Sequence, residues 1–181
     1  MAGQQDFSNA SEKIRFFTQN MGFFEKVLST AFEYFPSLLV HSTNKMTKYL
    51  ILIILDKLLE FSPPQQLKPF ITKKTISFLA GLLENDDLLV VGNCLLVLQR
   101  SITDESLVSR ELVQKINGVL QSASTKVLLA IKRDPKRRKE ADQDKLAELR
   151  SEVENCARQT LQMLPQIHGE GELVNKMKAL Q

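Results

Sequence analysis

The chain has 181 residues, 43% of them hydrophobic and 25% charged, with a formal net charge of +3 at neutral pH. That is enough apolar side chain to bury a real core in one domain, with room for an appendage, and the near balance of charge excludes the strongly basic composition of dedicated nucleic-acid binders. Glycine (7) and proline (6) are scarce and Trp is absent, which favours long helices, because Gly and Pro are costly in helix interiors.

Residues 1–10 are polar and are expected to form a flexible N-terminus. A first helix is predicted over Ser11 to Asn20, with Ser11 as cap and Gly22 as stop. Seven of the ten Phe residues lie before residue 36: Phe7, Phe16, Phe17, Phe23, Phe24, Phe32 and Phe35. Phe is usually interior, so a packed cap at one end of a helical stack is favoured over an exposed docking patch. A helix over Phe23 to Tyr34 carries Phe24, Val27, Leu28, Ala31 and Phe35 at helical spacing. Pro36 is predicted to interrupt it, with Ser37 to His41 as a further turn.

Ser42-Thr43-Asn44 is a start signal for a long helix over Lys45 to Phe61. Its YLILIIL run has the composition of a buried strand, yet the apolar pattern continues through Leu58, Leu59 and Phe61, beyond strand length. The longest apolar run, Tyr49 to Leu55, is far short of the ~20 residues that span a bilayer, so no membrane span is expected. Ser62-Pro63-Pro64 ends this helix, and a short element over Gln65 to Ile71 is limited by Pro69. Thr72 to Glu84 is the next helix. Asn85-Asp86-Asp87 then makes a corner whose carboxylates cap the following helix and complement its positive end. Calcium binding is not read here, since no further oxygen ligands follow at a calcium-loop spacing.

Asp87 to Ile102, DLLVVGNCLLVLQRSI, is the stretch that organises the chain. Leu88, Val91, Leu95, Leu98 and Ile102 form one helical face, Val90, Cys94 and Val97 a second, and Leu89 and Leu96 fill the gap. A helix apolar on all sides is buried on several of them, so others must pack around it. Downstream, Thr103-Asp104-Glu105 starts a short helix over about Ser106 to Val113, and another runs from Lys115 toward Arg133. Residues 132–139, KRDPKRRK, form a basic insertion. Glu140 to Leu164 reads as a long helix with Leu146, Leu149, Val153, Cys156, Ala157, Leu161 and Leu164 inward, ended by Pro165. Residues 166–181, with Gly169 and Gly171, form a C-terminal tail whose Glu172 to Leu180 has a last helical pattern.

Residues 75–102 read as helix, acidic corner, helix. They resemble the second and third helices of an armadillo or HEAT-type repeat in Leu79, Leu82-Leu83, Asn85-Asp86-Asp87, Val90-Val91 and the run from Leu95 to Ile102. The layout recurs more loosely upstream, from Val27 to Phe61, and downstream, from Ile116 to Leu164. The step from Leu59 to Leu98 is 39 residues, close to the roughly 40 of such repeats. The resemblance implies an all-α, right-handed α-solenoid-like stack of about three armadillo/HEAT-type repeats over residues 11–165. It also implies binding of protein partners in a concave groove. The chain departs from the peptide-holding armadillo pattern, which places an Asn with nearby Trp late in the third helix. Here those places read Leu98-Gln99-Arg100-Ser101 and Leu55-Asp56-Lys57-Leu58.

Little in the sequence points to catalysis. His41 and His168 stand far apart and outside any motif, and no phosphate loop, HExxH or GxSxG occurs. Cys94 and Cys156 are too few for a disulfide framework or a zinc site, and read as buried free thiols of a reducing compartment. No cofactor or metal is expected. The N-terminal MAGQQDFSNASEK lacks the basic-then-apolar order of a secretory signal, so a cytoplasmic or nuclear location is expected.

The sharp surface feature is the basic insertion: Lys132, Arg133, Lys136, Arg137, Arg138 and Lys139. It reads first as a solvated loop balanced by Glu140, Asp142 and Asp144, and alternatively as a nuclear import signal or an anion-binding site. Residues 126–160 contain no aromatic, which weighs against nucleic-acid binding. The function expected is therefore a non-enzymatic protein–protein interaction scaffold or adaptor. The alternative is a nuclear or nucleic-acid-associated helical protein working through residues 132–139.

Overall fold

Capping side chains set the helix starts. Asn44 accepts a hydrogen bond from the Met46 amide (2.8 Å), Thr72 from Thr75 (3.2 Å), Asp87 from Leu89 (3.0 Å) and Ser109 from Leu112 (3.1 Å). Each satisfies one of the amide donors that a helix start leaves without an intrahelical partner. A computed structural model describes Arg15 and residues 19–62, 64–102, 105–134 and 140–167. It is all-α over these residues. Six helices pack against one another: α1 Met21–His41, α2 Lys45–Phe61, α3 Lys73–Leu82, α4 Leu88–Ser101, α5 Arg110–Arg133 and α6 Glu140–Ile167. A one-turn helix at Pro64–Leu67 and a 3-10 turn at Glu105–Leu107 lie between them.

Three sequence expectations shift. The first helix does not stop at Pro36 but runs through it to His41. Pro36 removes one intrahelical bond, a cost of ~3 kcal/mol in a helix interior. Burial on both sides of it offsets that cost: Leu28 and Ala31 before, Leu39 after, with the Phe32 ring stacked on Phe70 at 5.7 Å. Next, Ser109 rather than residues 103–105 caps the fifth helix, so the two short segments expected around Val113 and Lys115 are one continuous α5. Finally, α6 continues two residues past Pro165. The helix expected over Ser11 to Asn20 and the segment after Ile167 fall largely or wholly outside the described residues.

The helices pair in chain order, α1 with α2, α3 with α4, and α5 with α6, and α4 lies at the centre. It packs most broadly against α2 on one flank and α6 on another, with α3 and α5 on its remaining buried side. Its Val90, Val91, Cys94, Leu95, Val97 and Leu98 are essentially fully buried, within one cluster that draws on all six helices. Burial of each such side chain contributes about 1.5–3 kcal/mol. Lys45 reaches Asp87 at 3.3 Å and Asp56 meets Arg100 at 2.6 Å, so α2 and α4 run parallel. On the other flank a Cβ at Gly92 would sit 3.1 Å from Val153, and Gln99 bonds Thr160, so α4 and α6 run parallel as well.

Candidate functional site

One edge of α4 escapes burial. Leu89 and Leu96 are 38% and 41% exposed, and Asn93 and Arg100 lie between and beyond them at helical spacing. The all-round burial expected of this helix therefore fails along the line between α2 and α6. The Asn93 amide turns back to donate to the Leu89 carbonyl at 2.8 Å. Shallow apolar surface continues to either side, on half-buried Tyr49 of α2 and Leu149 of α6.

At the N-terminal end of α4 this edge opens into a cavity of about 370 Å³. Tyr49, Leu89, Leu146 and Leu149 supply its apolar lining, and the residue 85–87 corner and the end of α5 supply its charges. Those charges are matched in place. Lys45 pairs with Asp87 at 3.3 Å and Arg133 with Asp86 at 2.9 Å. Lys126, 6% exposed, donates its ammonium to the Asn85 carbonyl and, at 3.5 Å, to that of Leu83. Leu83 is the residue at which α3 ends, so a cation sits where the helix leaves its carbonyls without amide partners. Burial lowers the Lys126 pKa from the usual lysine range, and the nearby Asp86 and Glu84 charges oppose that shift.

At the other end of the edge the polar side chains are tied across the seams. Gln99 donates to the Thr160 hydroxyl at 2.9 Å and to the Cys156 carbonyl at 3.1 Å. Arg100 meets Asp56 at 2.6 Å and Glu60 at 3.8 Å, and Lys57 meets Glu60 at 2.6 Å. Gln99 and Arg100 thus link α4 to its neighbouring helices. The result is a groove with an apolar floor, a cavity at one end and a cross-braced polar wall at the other.

Of the basic insertion, Lys132 is exposed, and Arg133 is drawn into the corner by Asp86. Lys136, Arg137, Arg138 and Lys139 lie outside the described residues. The thiols do not form a reactive centre. Cys94 is fully buried and donates to the Leu79 carbonyl at 3.0 Å, and burial pushes its pKa well up. Cys156 is only half-buried; burial raises its pKa, against hydrogen bonds with Gln99 and Thr160. A thiol held protonated is a poor nucleophile and a poor metal ligand. Among the described residues no group of three or more His, Cys, Asp or Glu side chains could hold a metal ion, and no helix is long and apolar enough to cross a membrane.

Lys126 was not singled out from the sequence. Its signal is positional: Leu112, Ile116, Val119 and Ala123 define the buried stripe of α5, and Lys126 occupies the next place on it. A lysine on an apolar stripe needs a partner across the core, and the partners here are backbone carbonyls some 40 residues away. Comparison with protein-family models, curated proteins and solved structures finds no match to this chain.

Proposed function

We propose that the chain is a non-enzymatic scaffold or adaptor. On this reading it is a right-handed α-solenoid-like stack of about three armadillo/HEAT-type units that holds a segment of another protein along the α4 edge. The supporting observation is which helices adjoin. The second helices of the three successive pairs, α2, α4 and α6, lie side by side and run parallel. Up-and-down bundles with short loops set sequential neighbours antiparallel. Translating one hairpin along a stack sets its second helices parallel, and each layer then covers the apolar face that a lone hairpin cannot hide.

The groove recognises a partner by its apolar side chains, seated over Leu89 and Leu96 and in the cavity beside Tyr49 and Leu149. Bracing of Gln99 and Arg100 between helices leaves less polar surface for holding a peptide backbone than an Asn ladder offers. The test is affinity purification from the native cell, comparing the wild type with Leu89→Glu/Leu96→Glu. A stoichiometric protein recovered by the wild type and lost by the variant, at equal helix content, is expected. Recovery of the same protein by both, or of none, contradicts the reading.

A further inference from the structure

The matching of charges around the cavity at the N-terminal end of α4 leaves one over. Lys48 lines that cavity and is half-buried. Among the described residues it has neither an ion pair nor a hydrogen bond. Its own helix does not supply one. From Lys45 to Leu55, α2 carries two lysines and no carboxylate, so no acid stands three or four residues from Lys48 on the helix. Lys48 also follows closely on the Asn44 cap, where the helix dipole favours acids and disfavours cations. Lys45 has the same disadvantage and is answered by Asp87 at 3.3 Å.

The acceptors that could serve Lys48 are in use. Asp87 takes Lys45 and the Leu89 amide, Asp86 takes Arg133, and the Asn85 side chain takes the Asp87 amide. Lys126 occupies the Asn85 carbonyl. The Tyr49 hydroxyl, on the next residue of α2, likewise has no hydrogen bond among the described residues. What stays open on the α2 side of the cavity is therefore able to donate: an ammonium and a phenol. Residues 135–139 lie outside the described residues, and their sequence, Pro-Lys-Arg-Arg-Lys, contains no carboxylate that could pair with Lys48.

We infer that the segment held in the groove carries an Asp or Glu beside its apolar anchor, and that this carboxylate meets Lys48, with the Tyr49 hydroxyl as a second donor at the same cavity. Resting on the groove reading, this narrows the partner to an acidic-apolar stretch of protein. The cavity, about 370 Å³, falls within the ~300–1,000 Å³ of pockets that seat a ligand. Leu89, Leu146 and Leu149 line the part that takes the apolar side chain. A carboxylate on Lys48 makes a charge-assisted hydrogen bond, and the positive start of α2 adds to it. At the opposite end of the groove Arg100 and Lys57 are already paired with Asp56 and Glu60. Charge is therefore selected at one end of the bound segment, which fixes its register.

Panning a phage-displayed library of random peptides on the full chain tests the inference. Wild type is expected to select peptides with an apolar residue beside Asp or Glu. Lys48→Glu is expected to select Lys or Arg at that place instead. An acid near a helix start suits the dipole, so this variant should keep its helix content by circular dichroism. A synthetic peptide from the wild-type selection is expected to bind Lys48→Met about tenfold more weakly and to lose affinity as salt is raised. Apolar peptides without acid enrichment, or the same peptides from both baits, overturn the inference and leave the groove reading standing. No peptide from the wild type contradicts both. Peptides recovered only after residues 1–18 or 168–181 are removed would place the chain's own end in the cavity, and overturn the inference as well.

Discussion

Toward α2, the central helix meets a neighbour that buries Leu52, Leu55 and Leu59, and the seam is closed by an ion pair between half-exposed Arg100 and buried Asp56. Toward α6 it presents Gly92, whose lack of a side chain lets Val153 approach, and the seam is closed by the Gln99 amide on buried Thr160. One seam is spaced by side chains and linked by charge near solvent. The other is set by a close backbone approach and linked by neutral hydrogen bonds. The two therefore differ in what they tolerate. The charged link is screened by water and salt, whereas the close approach has no spare volume.

The largest effect is expected on the core side of α4, opposite its open edge. Leu98→Ala removes a fully buried side chain of α4 and should cost about 2–5 kcal/mol, from lost transfer energy and the cavity left behind. Chemical denaturation measures it, and a loss below ~1 kcal/mol would mean that α4 is not the centre of the core. Gly92→Leu strikes the α6 seam alone. A β-branched valine has little rotamer freedom with which to retreat, so overpacking should cost about 1–3 kcal/mol. Adding Val153→Ala should recover part of that loss, as coupled neighbours do.

Lys126→Met leaves both seams intact and removes the clasp on the residue 83–87 corner. The exposed cost is that of backbone carbonyls left without a donor, about 1–3 kcal/mol. It should carry a pH signature. Because burial lowers the folded-state pKa of Lys126 below its unfolded value, the unfolded chain binds more protons between the two. Wild-type stability relative to the variant should accordingly rise as pH climbs through the folded pKa toward the unfolded one, and fall on the way back down. Unfolding curves at several alkaline pH values check the sign.

Salt separates the two polar links. Arg100→Met should cost about 1–3 kcal/mol, because it leaves the buried Asp56 carboxylate without its partner, and the Coulombic part of that cost should shrink as salt is raised. Gln99→Leu should cost the least, about 0.5–1.5 kcal/mol with no salt dependence. Equal salt dependence in both would remove the distinction between the seams.

The parts of this architecture that were legible in the sequence are those fixed locally. Asn44, Thr72 and Asp87 announce α2, α3 and α4 because a cap acts within three residues, and α2 occupies the Lys45 to Phe61 span that its pattern gives. The α1 helix was read too short because Pro36 carries a local penalty that distant burial of Leu28 and Leu39 offsets. The start of α5 was misplaced because Thr103-Asp104-Glu105 has the chemistry of a cap while Ser109 holds the position. Of the site, the all-round grease of α4 was legible, but its open edge was not: which side goes uncovered depends on where α2 and α6 come to lie. Lys126 and Arg133 were invisible as corner clasps, since their partners are more than 40 residues away.

The central claim is that α4 lies between α2 and α6 in an open layered stack rather than within a closed bundle. The direct measurement is the α2–α6 distance, read by electron paramagnetic resonance between spin labels on Lys57→Cys and Gln159→Cys in a Cys156→Ser background. Packed helices lie about 8–10 Å apart, so an intervening helix implies an axis separation of about 16–20 Å before the label arms are added. A distance distribution centred on that value is expected. One centred on a single interhelical spacing would place α2 against α6, close the groove and contradict the account.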